Sequence, residues 1–380
     1  MAGTVAPRPC SIINQQENSN MDYVHIGKSG LRVSRLCLGT ANFGIGGKEA
    51  ANFGTVEKEE ALRILDAARD AGINFIDTAN TYGSSARYGY SEELIGEWFS
   101  KGDGRRERTV LATKVGRFVN DAYDYPVDTE YTRFPSMSFS LSKRKVRSHL
   151  EASLKRLRTD HVDILEPHRP YNRITWDEFW DSFRAVVDAG MADYIGSSNF
   201  SALEIMSAQF AAKERRHMGL VSEQHRYDLL GRYAELEVIP TVQDRQMGLT
   251  IQSPLARGLL GTDMFDLEKR ALSDTQKHLI NYYHDQLVAF STLCRDLGEK
   301  EAAVSIAWIL SNPAVTSVII GPCSTKDLEE LVRATEIKLD ADVLKLLNEI
   351  FPPVGAGGPA PYAYSIGSIE HAIMRRGGGR

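Results

Sequence analysis

The sequence predicts a closed α/β fold: a (β/α)8 TIM barrel with an N-terminal β-hairpin before it and extra helices after it. Three observations carry that expectation. Short apolar runs of strand length alternate eight times with amphipathic runs of helix length, which argues for a parallel sheet with helices outside. Eight such units favour closure into a barrel over an open doubly wound sheet. The glycine fingerprint of an open dinucleotide-binding sheet is also missing. Gly44-Ile45-Gly46-Gly47 is no G-x-G-x-x-G between a strand and a helix, and it reads as loop.

The elements follow in order. Residues 22–35, DYVHIGKSGLRVSR, alternate apolar and polar around Gly27 and Ser29-Gly30, the pattern of a hairpin. Strand 36–40 leads to helix 57–71, and strand 74–77 to helix 91–99, with Ser91 as its cap and Glu92-Glu93 in its first turn. Strand 109–114 leads to helix 142–157, which sets Leu150, Leu154 and Leu157 on one face. Strand 162–167 runs into His168, and its helix, 175–189, is stopped by Gly190. Strand 194–198 leads to helix 201–215, and strand 220–223 to a helical stretch at 231–245. Strand 249–253 is followed by helical runs at 276–298 and 300–311. The last strand, 315–320, precedes closing helices at 325–336 and 341–350. Three long loops interrupt the pattern: 44–56, an aromatic-rich 116–140, and 259–275. Loops of that length are usually functional or disordered.

Composition bounds the rest. The chain has 380 residues, 42% hydrophobic and 25% charged, ample for one sizeable core. Residues 22–364 read as the barrel, with a disordered tail at 1–21 and a second tail at 365–380. A net charge of −5 with no long basic run argues against nucleic acid. No apolar stretch approaches the roughly 18 residues of a membrane span, and the first twenty residues lack the apolar core of a secretory signal. Cys10, Cys37, Cys294 and Cys323 lie far apart with no Cys-x-x-Cys, which fits a reducing cytoplasm. No metal site is expected, since His149 and His161 bracket a helix rather than share one face.

Nearly every strand ends on a polar residue: Thr40, Asp77, Lys114, His168, Ser198-Asn199, Gln224, Ser253 and Gly321. In a barrel these positions converge on one rim, where the loops build the site. Tyr82 joins them from the loop after Asp77. Singly, each residue can be a cap or a surface group; four titratable groups from three successive units form a set with a chemical logic. A free phenol has a pKa near ~10. A cation at ~4 Å interacts with it by about 4 kcal/mol at an effective dielectric near ~20, enough to lower that pKa by up to ~3 units. Lys114 is the candidate cation, Asp77 its anchor, and His168 a neutral group to orient a carbonyl oxygen. Such a set protonates a carbonyl oxygen while something else attacks carbon. No nucleophile–base pair stands out, so the attacker is expected to be a hydride, which needs a cofactor. Ser198, Asn199 and Gln224 suit a carboxamide, which both donates and accepts. Gly321 with Ser324 and Lys326, opening the last strand's helix, suits a phosphate. Ser198-Asn199 can equally be read as the approach to a helix cap before Ser201.

The chain resembles the aldo-keto reductase superfamily over about residues 22–364. The stretches that carry the resemblance are LRVSRLCLGTANFG, GINFIDTANTYG, SEELIGEWF, TVLATKVG, SLKRLRTDHVDILEPHRP, YIGSSNFSALEI, LVSEQHRYDL, SPLARGLLG and SVIIGPCSTKDLEE. EIFPPVGAGGPAPYAY resembles the bacterial branch that includes sugar-nucleotide ketoreductases. The resemblance implies a barrel that binds NADPH without a Rossmann domain and a catalytic tetrad of Asp77, Tyr82, Lys114 and His168. It implies nicotinamide contacts from Ser198, Asn199 and Gln224. Across the whole cofactor groove the expected set is Thr40, Asp77, Ser198, Asn199, Gln224, Gln252, Ser253, Leu255, Arg270, Gly321, Ser324, Asp327 and Glu330.

Several positions depart from the family. Gln252 stands where a Tyr or Trp usually stacks on the nicotinamide. Asp327 stands where Gln or Arg is common near the adenosine, and Leu331 replaces an Asn, while Glu330 matches. An acid at 327 repels a 2′-phosphate, and Lys269 or Arg270 would compensate; NADPH is the expected cofactor, with NADH as the alternative. Ala41 in place of a bulky residue and the long aromatic loop suggest a large substrate, a glycoside or nucleotide-linked keto sugar. The expectation is thus a reductase acting on a small-molecule carbonyl. The alternatives are a cofactor-holding regulatory barrel like the channel β subunits of the superfamily, or a sugar dehydrogenase or redox epimerase using the same site.

Overall fold

The computed structural model describes residues 21–46, 54–84, 87–116, 141–170, 174–267 and 274–354. Residues 117–140 of the aromatic loop, Lys269, Arg270 and everything from 355 onward lie outside them. Strands β1 (Tyr23–His25) and β2 (Arg32–Ser34) pair antiparallel as the expected hairpin. β3 (Leu36–Gly39) and β4 (Phe75–Asp77) then open the main sheet. A small hairpin, β5 (Gly83–Ser84) with β6 (Arg87–Tyr88), follows. The main sheet resumes with β7 (Val110–Val115), β8 (Val162–Pro167), β9 (Ala192–Ile195), β10 (Ser197–Ser198), β11 (Ser222–Arg226), β12 (Gly248–Gln252) and β13 (Ser317–Ile320). Its order is β10-β11-β12-β13-β3-β4-β7-β8-β9, with all its pairings parallel. β9 and β10 are one stretch of chain interrupted at Gly196. The two ends of the strand order are therefore the same strand, and the sheet closes on itself as eight strands, the (β/α)8 TIM barrel.

Side chains alternate along a strand with a period of two, so inward residues stack in layers. Cys37, Phe75, Ala112, Ile164, Val221 and Ile319 form one apolar layer, and Ile26 and Val33 of the hairpin pack onto it as a plug. Two residues further along come Gly39, Asp77, Lys114, Glu166 and Gly321, and Gln224 of β11 reaches the same layer. The interior is thus apolar at its floor and charged one layer up. The plug sits close: a Cβ on Gly27, at φ +51°, would lie 2.6 Å from the Gln246 carbonyl and 2.7 Å from the Gly248 nitrogen.

Helices wrap the cylinder because each turns one apolar stripe inward. α1 (Lys58–Asp70) buries Ala61, Ile64, Leu65 and Ala68, an i, i+3, i+4, i+7 set. α2 is Tyr90–Phe99, and α3 (Lys143–Leu157) buries Leu150, Leu154 and Leu157 as expected. α4 (Trp176–Asp188) is capped by the Thr175 side chain, which accepts from the Glu178 amide. α5 (Ala202–Glu214) opens on a full Ser201–Glu204 capping box. α6 (Val238–Asp244), α7 (Met264–Leu267), α8 (Asp274–Tyr282), α9 (His284–Leu297), α10 (Glu301–Ser311), α11 (Thr325–Val332) and α12 (Ala341–Ile350) complete the set.

Several expectations need correction. Ser91 does not cap α2: the helix starts at Tyr90 behind Gly89, at φ 78°, and the buried Ser91 hydroxyl turns to the Thr40 carbonyl instead. The fifth barrel strand is broken at Gly196, where a Cβ would meet Ser222 Oγ at 2.5 Å and Glu166 Oε1 at 3.0 Å. The strand expected at 220–223 runs from Ser222 to Arg226, so Gln224 lies within it and not after it. An apolar criterion stops at Glu223, whereas the barrel interior at this height is polar. The stretch 231–245 is a 3-10 turn at Tyr233–Glu235 and then α6, separated by Glu237 at φ −144°. The run 276–298 divides at Tyr283 into α8 and α9, and the loop 259–275 contains α7.

Candidate active site

Lys114 organises the rim. Its Nζ donates to Asp77 Oδ1 and Oδ2 at 2.6 and 2.7 Å, to the Thr78 carbonyl at 3.0 Å and toward Tyr82 Oη at 3.3 Å. Lys114 and Asp77 are both buried, and adjacent strands put them there: Asp77 ends β4, and Lys114 is the fifth residue of β7. Tyr82 is half-buried and reaches them from the loop, held by its amide on the Ala79 carbonyl at 3.0 Å. His168 continues β8, its amide on the Val115 carbonyl at 2.8 Å. Its ring meets that of Tyr82 edge-on, 5.7 Å between centroids at 84°. The four titratable residues singled out by sequence are thus brought to one place.

The electrostatics differ from expectation in one respect. Burial alone would depress the Lys114 ammonium, but Asp77, Tyr82 and Glu166 together overcome it and hold its pKa above the ordinary lysine range. The same burial pushes the Tyr82 phenol up, and the pull of Lys114 does not reverse it, because Asp77 and Glu166 push the same way as burial. The expected lowering of the Tyr82 pKa is therefore corrected: the lysine limits the rise. The physical reason is that the ammonium is already neutralised by Asp77.

The carboxamide-type residues form a second cluster joined to the first. Gln224 Nε2 donates to Asp77 Oδ1 at 2.8 Å and to Glu166 Oε2 at 3.3 Å. Asn199, at φ 61°, donates from Nδ2 to Ser198 Oγ at 2.9 Å and to the His168 carbonyl at 3.3 Å. Gln252 Nε2 donates in turn to Asn199 Oδ1 at 2.8 Å. Gln252 thus braces Asn199 from the position where the resemblance implied an aromatic ring. This donor set fits the carboxamide of a nicotinamide. With Asn199 donating to it, the Ser198 hydroxyl keeps its own proton to give, and Gln224, its NH2 turned inward, keeps its oxygen to accept.

Thr40 lies fully buried beside Asp77, its Oγ1 donating to the Asp77 carbonyl at 3.0 Å. Ser253, at φ 54°, is exposed just past β12, and Leu255 is half-buried in the next turn. Gly321 follows β13, with its carbonyl accepting from Asn42 Nδ2 at 2.8 Å. Ser324 caps α11 by accepting from the Asp327 amide, and Asp327 and Glu330 stand half-buried on that helix. Arg270 falls outside the described residues.

Sequence reasoning missed two buried carboxylates, Glu166 inside the barrel and Glu223 on the other face of β11. Glu166 pairs in register with Lys114 and is buried. Burial first, then repulsion from Asp77 and Glu223, holds its carboxyl well above the usual range against the pull of Lys114. Glu223, also pushed up by burial, accepts from Ser197 Oγ at 2.5 Å and from the Phe200 amide at 2.9 Å, with His225 Nδ1 at 3.0 Å. The signal was available: Glu166 stands two residues after Ile164 on one strand face, where an acid can only point into the barrel. Ser91 is the other miss, donating to Thr40 from the helix behind.

The Aldo/keto reductase family matches residues 35–351 of this chain. An uncharacterized oxidoreductase of Bacillus subtilis, YrpG, is 46% identical over 345 residues, 91% of this chain and 100% of that protein. A probable voltage-gated potassium channel subunit beta of rice (Oryza sativa subsp. japonica) is 32% identical, covering 83% of this chain and 92% of its own. The aldo-keto reductase dtxS3 of the fungus Metarhizium robertsii is 30% identical, covering 91% and 95%. Among the described residues no helix is long and apolar enough to cross a membrane.

Proposed function

The chain belongs to the aldo/keto reductase family, and from that premise we propose that it reduces the carbonyl of a small molecule with Tyr82 as the proton donor. It is an oxidoreductase of carbonyl and alcohol groups. The observation that carries the reading is the contact of Lys114 Nζ with both Asp77 oxygens and, at 3.3 Å, with Tyr82 Oη. A bound nicotinamide dinucleotide, the NAD(P)H of the family, supplies a hydride to the carbonyl carbon. Everything else falls to this chain's own residues. Ser198, Asn199 and Gln224 orient the carboxamide, and Gln252 holds Asn199 in place. His168 and Tyr82 receive the carbonyl oxygen between them. Tyr82 gives that oxygen its proton as it becomes an alcohol, and the Lys114 ammonium steadies the phenolate left behind. Because burial keeps the phenol protonated, the donor is loaded across the neutral range.

For the substrate we favour a keto sugar or related polyhydroxylated carbonyl, a glycoside or nucleotide-linked sugar of specialised metabolism, acted on in the cytoplasm. The polar rim and the small Ala41 support that choice. The test is oxidation of reduced dinucleotide against a panel of keto sugars and aromatic aldehydes, with Tyr82→Phe beside the native protein. Loss of turnover by at least about a hundredfold, the low end of what a positioned general acid contributes, is expected, with dinucleotide binding kept. Unchanged turnover in that variant would remove Tyr82 from the role.

A second reading is favoured by one observation, the channel-subunit relative combined with Gln252 in place of an aromatic residue. It makes the protein a barrel that holds the dinucleotide and turns over slowly. Tight binding with no turnover on any carbonyl of the panel would select it.

A further inference from the structure

We propose that the site takes NADH in preference to NADPH, because the start of α11 is already filled by the chain's own carboxylates. The proposal rests on the dinucleotide reading above and reverses the NADPH expected from sequence. A helix N-terminus binds a phosphate through free amides and a positive end. Here three amides of that turn are taken. The Thr325 amide donates to Glu60 Oε1 at 2.9 Å, and the Cys323 amide to Asp327 Oδ2 at 3.1 Å. The Asp327 amide donates to Ser324 Oγ at 3.1 Å. Two of the three acceptors are acids, and one of them is brought from α1, on another part of the chain.

Glu60 stays charged there. The Thr325 amide first, and then Arg63, hold its carboxyl below the ordinary range. Arg63 is itself spent on Glu60, its Nε donating at 2.8 Å. Glu329 and Glu330 follow on the next turn of the helix, and among the described residues Lys326 is the exposed cation of its first turn. A 2′-phosphate arriving here would have to displace two carboxylates from their amides and then sit beside them. A ribose 2′-hydroxyl needs neither, since it can donate to Asp327 as it does to the acid of other NAD sites. The described residues at the start of α11 therefore do not fit a 2′-phosphate and do fit a neutral ribose.

The experiment is direct binding, read by calorimetry on the full chain, of NADH and NADPH to the native protein and to an Asp327→Arg, Glu60→Gln double variant. At least about tenfold tighter binding of NADH to the native protein, about 1.4 kcal/mol, is expected. The double variant should narrow or invert that ratio while melting as a folded protein. NADPH binding as tightly as NADH, or more so, in the native protein would overturn the inference and leave the reductase reading standing. An unchanged ratio in a folded double variant would also overturn it. Failure of both dinucleotides to bind would remove the cofactor reading itself, and this inference with it.

Discussion

Replacing Lys114 by Met breaks the buried pair on which the site is built, and the cost can be worked from its contacts. The ammonium makes two bonds to Asp77, one to the Thr78 carbonyl and one toward Tyr82. Without it a carboxylate only 2% exposed keeps Gln224 as a donor but no countercharge. Removing one partner of a buried pair typically costs about 3–5 kcal/mol, whereas replacing both by neutral groups is often close to neutral. Lys114→Met should therefore lower the unfolding free energy by about 3–5 kcal/mol. Adding Asp77→Asn should return most of that loss, so that the double variant is more stable than Lys114→Met alone. The amide oxygen introduced by that second substitution can still accept from Gln224. Turnover should stay absent in both, because the cation that steadies the Tyr82 phenolate is gone in both. Urea denaturation of the four proteins gives the stability cycle, and dinucleotide oxidation gives turnover. Additive losses, with the double variant as unstable as the sum of the singles, would refute the pairing. Restored turnover in the double variant would refute the role given to the lysine.

Glu166→Gln tests the inner carboxylate through pH. Burial holds the folded carboxyl well above the usual range, so between the unfolded pKa of about 4.3 and the folded value the native state binds more protons than the unfolded one. Stability is then lost as pH rises through that window. The variant lacks this titration, keeps an acceptor for Gln224, and should gain on the native protein by up to about 1.4 kcal/mol per pH unit over that range, as read by denaturation at several pH values. A constant difference across pH would show that Glu166 is ionised in the fold. Gln252→Ala frees Asn199 from its brace. Loss of one hydrogen bond, about 1 kcal/mol net, should weaken dinucleotide binding roughly fivefold with little change in melting temperature. An unchanged affinity in a fluorescence titration would mean that Asn199 needs no support from Gln252.

The strand–helix alternation was legible because apolar period and turn chemistry are local. Thr175 and Ser201, the first residues of the helices expected at 175–189 and 201–215, are their caps. The boundaries that went astray lie where the barrel interior is not apolar. β11 runs beyond its hydrophobic stretch, since Gln224 finds partners inside the cylinder, Asp77 and Glu166, that no local pattern reveals. Ser91 was misread for a related reason. A serine before two glutamates looks like a cap, but its hydroxyl is claimed by Thr40, 51 residues away in the chain. Asp77, Lys114 and His168 were visible as polar strand ends and Tyr82 on the loop after one of them, whereas the net direction of the Tyr82 shift was not, because it depends on how completely Asp77 neutralises the lysine.

That balance also fixes how Gln224 faces the site. The charged layer sets Lys114 against two acids, Asp77 and Glu166. Two ionised carboxylates held together in a buried site repel each other. Burial holds the Glu166 carboxyl well above the usual range, and the ammonium makes its carboxylate contacts to Asp77. An ionised carboxylate only accepts. Gln224, 2.8 Å from Asp77 Oδ1, must therefore turn its NH2 inward and its oxygen away. The side chain that meets the carboxamide as an acceptor is thus oriented by the same charge that anchors the lysine. An acid at 77 serves both ends of the site, where an asparagine, which also donates, would leave the orientation of Gln224 undetermined.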